Sequence, residues 1–248
     1  RAGPGGAAGT GVRGTSPRLH VSCGLLPLAS AAHAQGEPSA DALAKQLSNP
    51  VADLASVPFQ LNWENGVGPR DDLRFVFNFQ PVVPFRISPT WNLIGRMIVP
   101  FIQQPALTPE GTATSGTGDI LLSAFFSPVR AEGGLTWGAG PVLSLPTTTD
   151  PTLGSGKWGI GPTGLVLMST PRWTYGALVN HVWGVADTGD VERADLSNTF
   201  LQPFLARHLS GPLTLTLQSE STYNWEAESG EKWTVPINVL VSKVTKLG

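Results

Sequence analysis

From Ala52 onward the side chains alternate in character with a period of two, and no other feature constrains the fold as tightly. Over Leu73 to Val82, Leu73, Phe75, Phe77 and Phe79 take one face, and Arg74, Val76, Asn78 and Gln80 take the other. The pattern returns at Leu213 to Tyr223, with Leu213, Leu215 and Leu217 against Thr214, Thr216, Gln218 and Glu220. Along Trp233 to Val241, Trp233, Val235, Ile237, Val239 and Val241 oppose Thr234 and Asn238, with Ser242 following on the polar side. Along Trp91 to Phe101, Leu93, Met97, Val99 and Phe101 oppose Asn92 and Arg96. Weaker segments fall at 53–63, 117–127, 135–146, 158–168, 172–184 and 196–208. The expectation is therefore about ten strands of about ten residues, longer than the five or six common in soluble sheets. That length matches the 9–11 or so residues that a tilted strand needs to cross a hydrocarbon layer.

Composition points the same way. Charged residues make up 14% of the 248 positions, against about a quarter in ordinary soluble domains. No run approaches the roughly 18 apolar residues of a membrane-spanning helix. The 29 Gly and 22 Pro are spread along the chain, which suits many short segments and opposes long helices. A closed barrel in lipid satisfies all three facts, because its backbone groups pair between strands. The expected fold class is all-β, an antiparallel up-and-down transmembrane barrel. The bland alternative is a soluble β-sandwich or lipocalin-like barrel with its tryptophans in the core.

The tryptophans argue for the membrane. Trp63, Trp91, Trp137, Trp158, Trp173, Trp183, Trp225 and Trp233 all fall near the ends of predicted strands, and an indole is favoured at a lipid–water boundary. Connections differ in length as they do in outer-membrane barrels. Ile87 to Thr90 is short, whereas Gln104 to Gly116, Thr147 to Gly156 and Ala186 to Ala194 are longer and polar. Two echoes, Trp137 to Pro141 and Trp158 to Pro162, each open a strand.

The start of the chain reads as an exported leader. Residues 1–17 are Gly-, Ala- and Arg-rich without periodicity and are set aside as an unstructured leader. Residues 18–34 carry a basic start, an apolar run from Val21 to Ala32 and Ala32-His33-Ala34, the form of a secretory signal cleaved after Ala34. The one cysteine, Cys23, precedes most of the apolar run rather than following it, so a lipid anchor is not expected; it also excludes an internal disulfide. Residues 35–51 form a short N-terminal segment with helical spacing at Leu43 and Leu47. Residues 52–248 form the barrel.

Several segments resemble a known family. They include Asn49 to Leu54, Val57 to Gln60, Gly66 to Pro69, Gln80 to Pro84, Trp91 to Arg96, Gly118 to Ile120, Phe125 to Pro128 and Lys157 to Gly159. Thr174 to Leu178, Asn180 to Trp183 and Glu220 to Trp225 belong with them. Together they are similar to outer-membrane proteins grouped under the label MetA-pathway of phenol degradation, over about Asn49 to Leu247. The resemblance implies an outer-membrane channel or transporter for small, aromatic or hydrophobic solutes. Members of that family continue through about two further strands, whereas this chain stops at Lys246-Leu247-Gly248. About twelve strands are therefore expected in the full-length protein, with C-terminal truncation here.

Catalytic groupings are sparse. After the leader only His181 and His208 remain, which leaves no His-rich metal site, and no serine has a hydrolase context. His208 is expected in solvent or at the interface, and His181 on the face of Val179 and Trp183. Gly154 to Lys157 is a turn rather than a phosphate loop, and the acidic Asp187 to Asp195 is read as a solvated external loop. No enzyme activity, cofactor or metal is expected. With a net charge of −2 and a pI near 6.1, no nucleic-acid partner is expected either. The expected partners are outer-membrane lipid, a small solute and the barrel-assembly machinery.

If the chain forms a pore, function lies on the polar face. Arg74, Asn78, Gln80, Asn92, Arg96, Asp119, Gln218, Glu220 and Asn238 are the lumen and selectivity candidates, with Thr214 and Thr216 beside them. Arg96 is the sharpest, because a charge among Ile94, Met97 and Ile98 is expensive in lipid and acceptable in a wet interior. It is expected to pair with Glu220 or Asp119. The alternative is a structural or binding barrel whose closed lumen is merely filled by these groups.

Overall fold

A computed structural model of the chain describes residues 19–25, 55–130, 132–188, 195–209 and 213–243. The expected leader at 1–17, the cleavage site at Ala34 and the helical spacing near Leu43 lie outside them. The described residues form strands and no helix, and among them nothing helical is long and apolar enough to cross a membrane, which says nothing of strands.

In chain order the strands are β1 (Leu19–Leu25), β2 (Phe59–Val67), β3 (Asp72–Phe79), β4 (Val82–Arg86) and β5 (Trp91–Gln104). Then come β6 (Thr114–Thr117), β7 (Ile120–Pro128), β8 (Leu135–Leu145), β9 (Lys157–Ser169) and β10 (Trp173–Asp187). β11 (Ser197–His208), β12 (Leu213–Gln218), β13 (Ser221–Asn224), β14 (Trp233–Thr234) and β15 (Ile237–Lys243) complete them.

Several of these are halves of one longer strand. β3 and β4 both pair with β5, as do β6 and β7, and β12 and β13 both pair with β11. β14 and β15 pair with β13 and β12 in turn. Two of the breaks fall at Pro81 and Pro236, which have no N–H to donate to a ladder. The others fall at Gly118-Asp119 and Ser219-Glu220. Joined across the breaks, β2 to β15 are ten long strands, each antiparallel to its neighbour in sequence. Their limits follow the sequence periodicity closely except for the first. That strand runs from Phe59 to Val67 rather than 53–63, because it continues through an irregularity between Glu64 and Val67.

β1 lies between the two ends of this meander. It pairs antiparallel with β2 over six positions and parallel with β15 at Leu19↔Ile237 and His20↔Asn238. The segment read as an export signal therefore sits, over Leu19–Leu25, beside both terminal strands of the meander.

Along the strands one face carries the buried side chains. Val82, Ile94, Phe125, Leu165, Leu167 and Leu178, from β4, β5, β7, β9 and β10, form one buried cluster, against which Phe200 and Phe204 of β11 pack. Both Ile94 and Phe125 are 0% exposed. The opposite face is apolar and open. On β15, Ile237, Val239 and Val241 are more than half exposed while Asn238 between them is 1% exposed. Leu215 and Leu217, Val179 and Trp183, Trp158 and Ile160, and Phe85 repeat the outward placement.

Antiparallel pairing also sorts the connections by end. Residues 87–90, 129–134, 170–172 and 209–212 join strands at one end, and 105–113, 146–156, 188–196 and 225–232 at the other, together with the tight turn 68–71. Gly68, at φ 74°, and Asp71, at φ 54°, allow that turn. Trp91, Trp137 and Trp173 stand at the short-turn end, where Trp91 and Trp137 meet edge-on at 5.7 Å. Trp158, Trp183, Trp225 and Trp233 stand toward the long-loop end. Trp63 departs from the expected strand-end position. β2 extends beyond it to Val67, and its ring packs on Phe75 at 5.5 Å.

Glycines on the enclosed face let strands approach. A Cβ at Gly161 would collide with the backbone oxygen of His181, whereas one at Gly164 would meet nothing nearer than 3.9 Å. Gly161→Ala is therefore expected to destabilise the protein strongly in equilibrium urea unfolding, and Gly164→Ala to leave the midpoint nearly unchanged. Phe125→Ala is expected to cost about 3–5 kcal/mol in the same measurement. Equal effects of the two glycine substitutions would contradict the register of β9 against β10.

Candidate functional site

The enclosed face carries a run of carboxamides joined to two charged groups. Arg96 on β5 donates from Nη2 to Oε1 of Gln80 at 2.8 Å. Gln80 then donates from Nε2 to Oε1 of Gln60 at 2.7 Å. Gln60 donates in turn to both carboxylate oxygens of Glu220, at 3.1 and 3.3 Å, and to Asn62 at 3.1 Å. From the other side Gln218 and Gln202 donate to Glu220 Oε1 at 3.0 and 3.3 Å. Arg96 and Glu220, expected as partners from the sequence, are joined through these amides rather than in direct contact. Two primary amides, each with an acceptor and a donor end, stand between guanidinium and carboxylate. They solvate both charges in place of water, which a buried ion requires.

Local structure explains the placement. Gln60 and Gln80 face inward by alternation along β2 and past the end of β3, and Arg96 by alternation along β5. Glu220 sits in the break between β12 and β13, beside Gln218, so two successive inward groups point at one place. Gln202 of β11 lies between the inward rings of Phe200 and Phe204. The polar track therefore runs directly alongside the apolar cluster.

The remaining candidates separate. Arg74 forms an ion pair with Glu64 at 3.1 Å across the register Glu64↔Arg74. Asn92 is 3% exposed with its Oδ1 unpartnered, and Asn238 is 1% exposed with neither Oδ1 nor Nδ2 bonded. Asn78 faces the interior, half-buried. Thr214 is buried on β12, with Thr216 half-buried beside it.

Asp119 lies in line with Leu121, Ser123 and Phe125 on the enclosed face, toward its long-loop end. It occupies the break between β6 and β7, where its carboxylate accepts from Thr148 N at 3.2 Å, Ser155 Oγ at 2.7 Å and Gly156 N at 2.9 Å. A carboxylate holding three donors pins the 146–156 connection inward. Leu153 of that connection is buried against Val76 and Ile102 on the enclosed face. One long loop thereby fills part of its own end of the interior.

Two more groups at the ends of the strands have partners. Asp187 and Asp195 are exposed, and Lys157 at the start of β9 bonds each at 3.1 Å. His208, half-buried at the end of β11, meets Thr174 Oγ1 through Nε2 at 3.0 Å and Thr214 Oγ1 through Nδ1 at 3.3 Å. His181 does share the outer face with Val179 and Trp183. It lies 4.2 Å from the Trp183 ring and 2.7 Å, through Nδ1, from Thr199 Oγ1.

Gln60, Asn62, Glu64, Gln202 and Leu153 were not singled out from the sequence. Glu64 and Gln202 do occupy alternating inward positions, but nothing local marks their partners. Among the described residues no group of three or more His, Cys, Asp or Glu could hold a metal. No family model, curated protein or solved structure matches this chain.

The loop anchor is testable. Asp119→Ala is expected to expose residues 146–156 to limited proteolysis and to speed hydrogen exchange at the Gly156 amide. Its stability cost should be about 2–3 kcal/mol, the scale of hydrogen bonds to a charged acceptor. An unchanged cleavage pattern would mean that Leu153 alone holds the loop.

Proposed function

We propose that this chain is a bacterial outer-membrane β-barrel that conducts or transports small solutes through its interior. The observation that carries the reading is the inversion of faces, with a continuous apolar exterior around an enclosed face bearing buried carboxamides and charges. Lipid is the solvent that such an exterior fits. Supporting it, β10 is paired on both edges, by β9 and by β11. The two sets of tryptophans stand where headgroup layers would lie. The interior offers an apolar wall at Phe125, Phe200 and Phe204 beside the amide track, suiting a small solute with an aromatic or hydrophobic part. The aromatic label itself rests on motif resemblance.

A closed barrel, structural or merely binding, is the second reading. It is favoured by the complete burial of Ile94 and Phe125 and by the inward seat of Leu153.

Fractionation and bilayer recording separate these readings. The full-length protein is expected to partition with outer membranes, to require detergent for extraction, and to give steady single-channel conductance in a planar bilayer. Insertion without conductance would select the closed barrel, and release by a detergent-free wash would overturn the membrane assignment altogether.

A further inference from the structure

We infer that the interior admits uncharged, hydrogen-bonding solutes in preference to ions, and that Asn238 is the point where such a solute docks. The inference rests on the reading of the chain as a solute-conducting barrel and adds the chemical class of what passes.

Charge balance is the first observation. Around the amide track the enclosed face carries Glu64 with Arg74 as a direct ion pair, and Arg96 with Glu220 joined through Gln80 and Gln60, while Asp72, Arg86 and Lys157 lie on the same face nearer the strand ends, Lys157 bonded to Asp187 and Asp195. The positive and negative groups cancel locally. Ion-selective pores rely on rings of one sign, or on carbonyls converging on a bare ion. Here the four charges already have partners, so an entering ion would meet no uncompensated opposite charge and would lose its hydration.

The second observation is chemical. Apart from those charges, the track is built from carboxamides, and each can donate and accept at once. A hydroxyl or amide on a solute can replace any one of these partners without leaving a charge exposed. Neither an anion nor a cation can do so at both ends of an amide.

The third observation locates the docking point. Asn238 is 1% exposed, and both its Oδ1 and its Nδ2 lack a partner. It stands opposite Gln218 in the register of β12 and β15, and Gln218 belongs to the Glu220 network. A buried amide left wholly unpaired is costly. A solute presenting a donor next to an acceptor, as vicinal diols and primary amides do, satisfies both atoms together. Asn92, with an unpartnered Oδ1 on β5, offers a second acceptor on the same face.

The test uses the full-length protein in two formats. In planar bilayers under a KCl gradient the reversal potential is expected to give a K⁺/Cl⁻ permeability ratio within about twofold of unity. Arg96→Gln should shift the ratio toward K⁺ and Glu220→Gln toward Cl⁻. In proteoliposome swelling, erythritol should enter faster than potassium lactate. Asn238→Leu should slow erythritol about tenfold, the effect of losing roughly one good hydrogen-bond interaction. Val239→Ala, on the opposite face, should leave the rate unchanged. Strong ion selectivity in the unaltered protein would overturn the inference while leaving the pore reading intact. An Asn238→Leu variant that inserts and passes erythritol at the original rate would mean that Asn238 holds only a trapped water. Absence of any flux, ionic or neutral, would remove the pore reading and this inference with it.

Discussion

Backbone pairing between strands adjacent in sequence is the constraint on which the rest of the structure depends. From β2 onward each long strand finds its ladder partner in the strand just before or after it. Once that pairing is fixed, side chains fall alternately on two faces, and a slip of one residue would exchange the faces entirely. The apolar exterior and the amide-bearing interior are therefore two expressions of a single register. Neither could be altered without the other.

Within the enclosed face two different solutions to burial lie side by side. Around Phe125 and Ile94 space is filled by apolar contact alone, where shape governs stability. Around Glu220 the filling is polar, and it holds because each buried charge is wrapped by amide dipoles. At Asn238, Asn92, Asn198 and Arg74 this second solution is incomplete, each keeping at least one buried side-chain atom without a partner. Orphaned buried groups are uncommon in folded proteins.

Much of the architecture was legible in the alternation. Strand limits from Leu73 to Val82 and from Leu213 to Tyr223 follow it closely, because period two depends only on local sequence. The division of long strands was less visible. Pro81 and Pro236 signal a missing donor, but Ser219-Glu220 carries no comparable mark. Site residues divide in the same way. Arg96, Gln80 and Glu220 stand out as polar groups on an alternating face, whereas Gln60 is recognisable only through contacts 20 and 160 positions away. The partners of Asp119 were hidden for a related reason. Its role is set by a loop that begins nearly thirty residues later, with Thr148 and Gly156 lying 29 and 37 positions beyond it.

The separation of Gln60 from Glu220 carries a consequence for the order of assembly. Neighbouring hairpins such as β8 with β9, or β9 with β10, enclose short loops and can form as soon as their residues are available. The bond between Gln60 and Glu220 spans 160 positions and requires both ends of the meander to be in place. Until it forms, the Arg96–Gln80 half of the track and the Glu220–Gln218–Gln202 half remain separate. The polar track thus acts as a latch that closes last, rewarding only the chain whose strands have all been laid down in register.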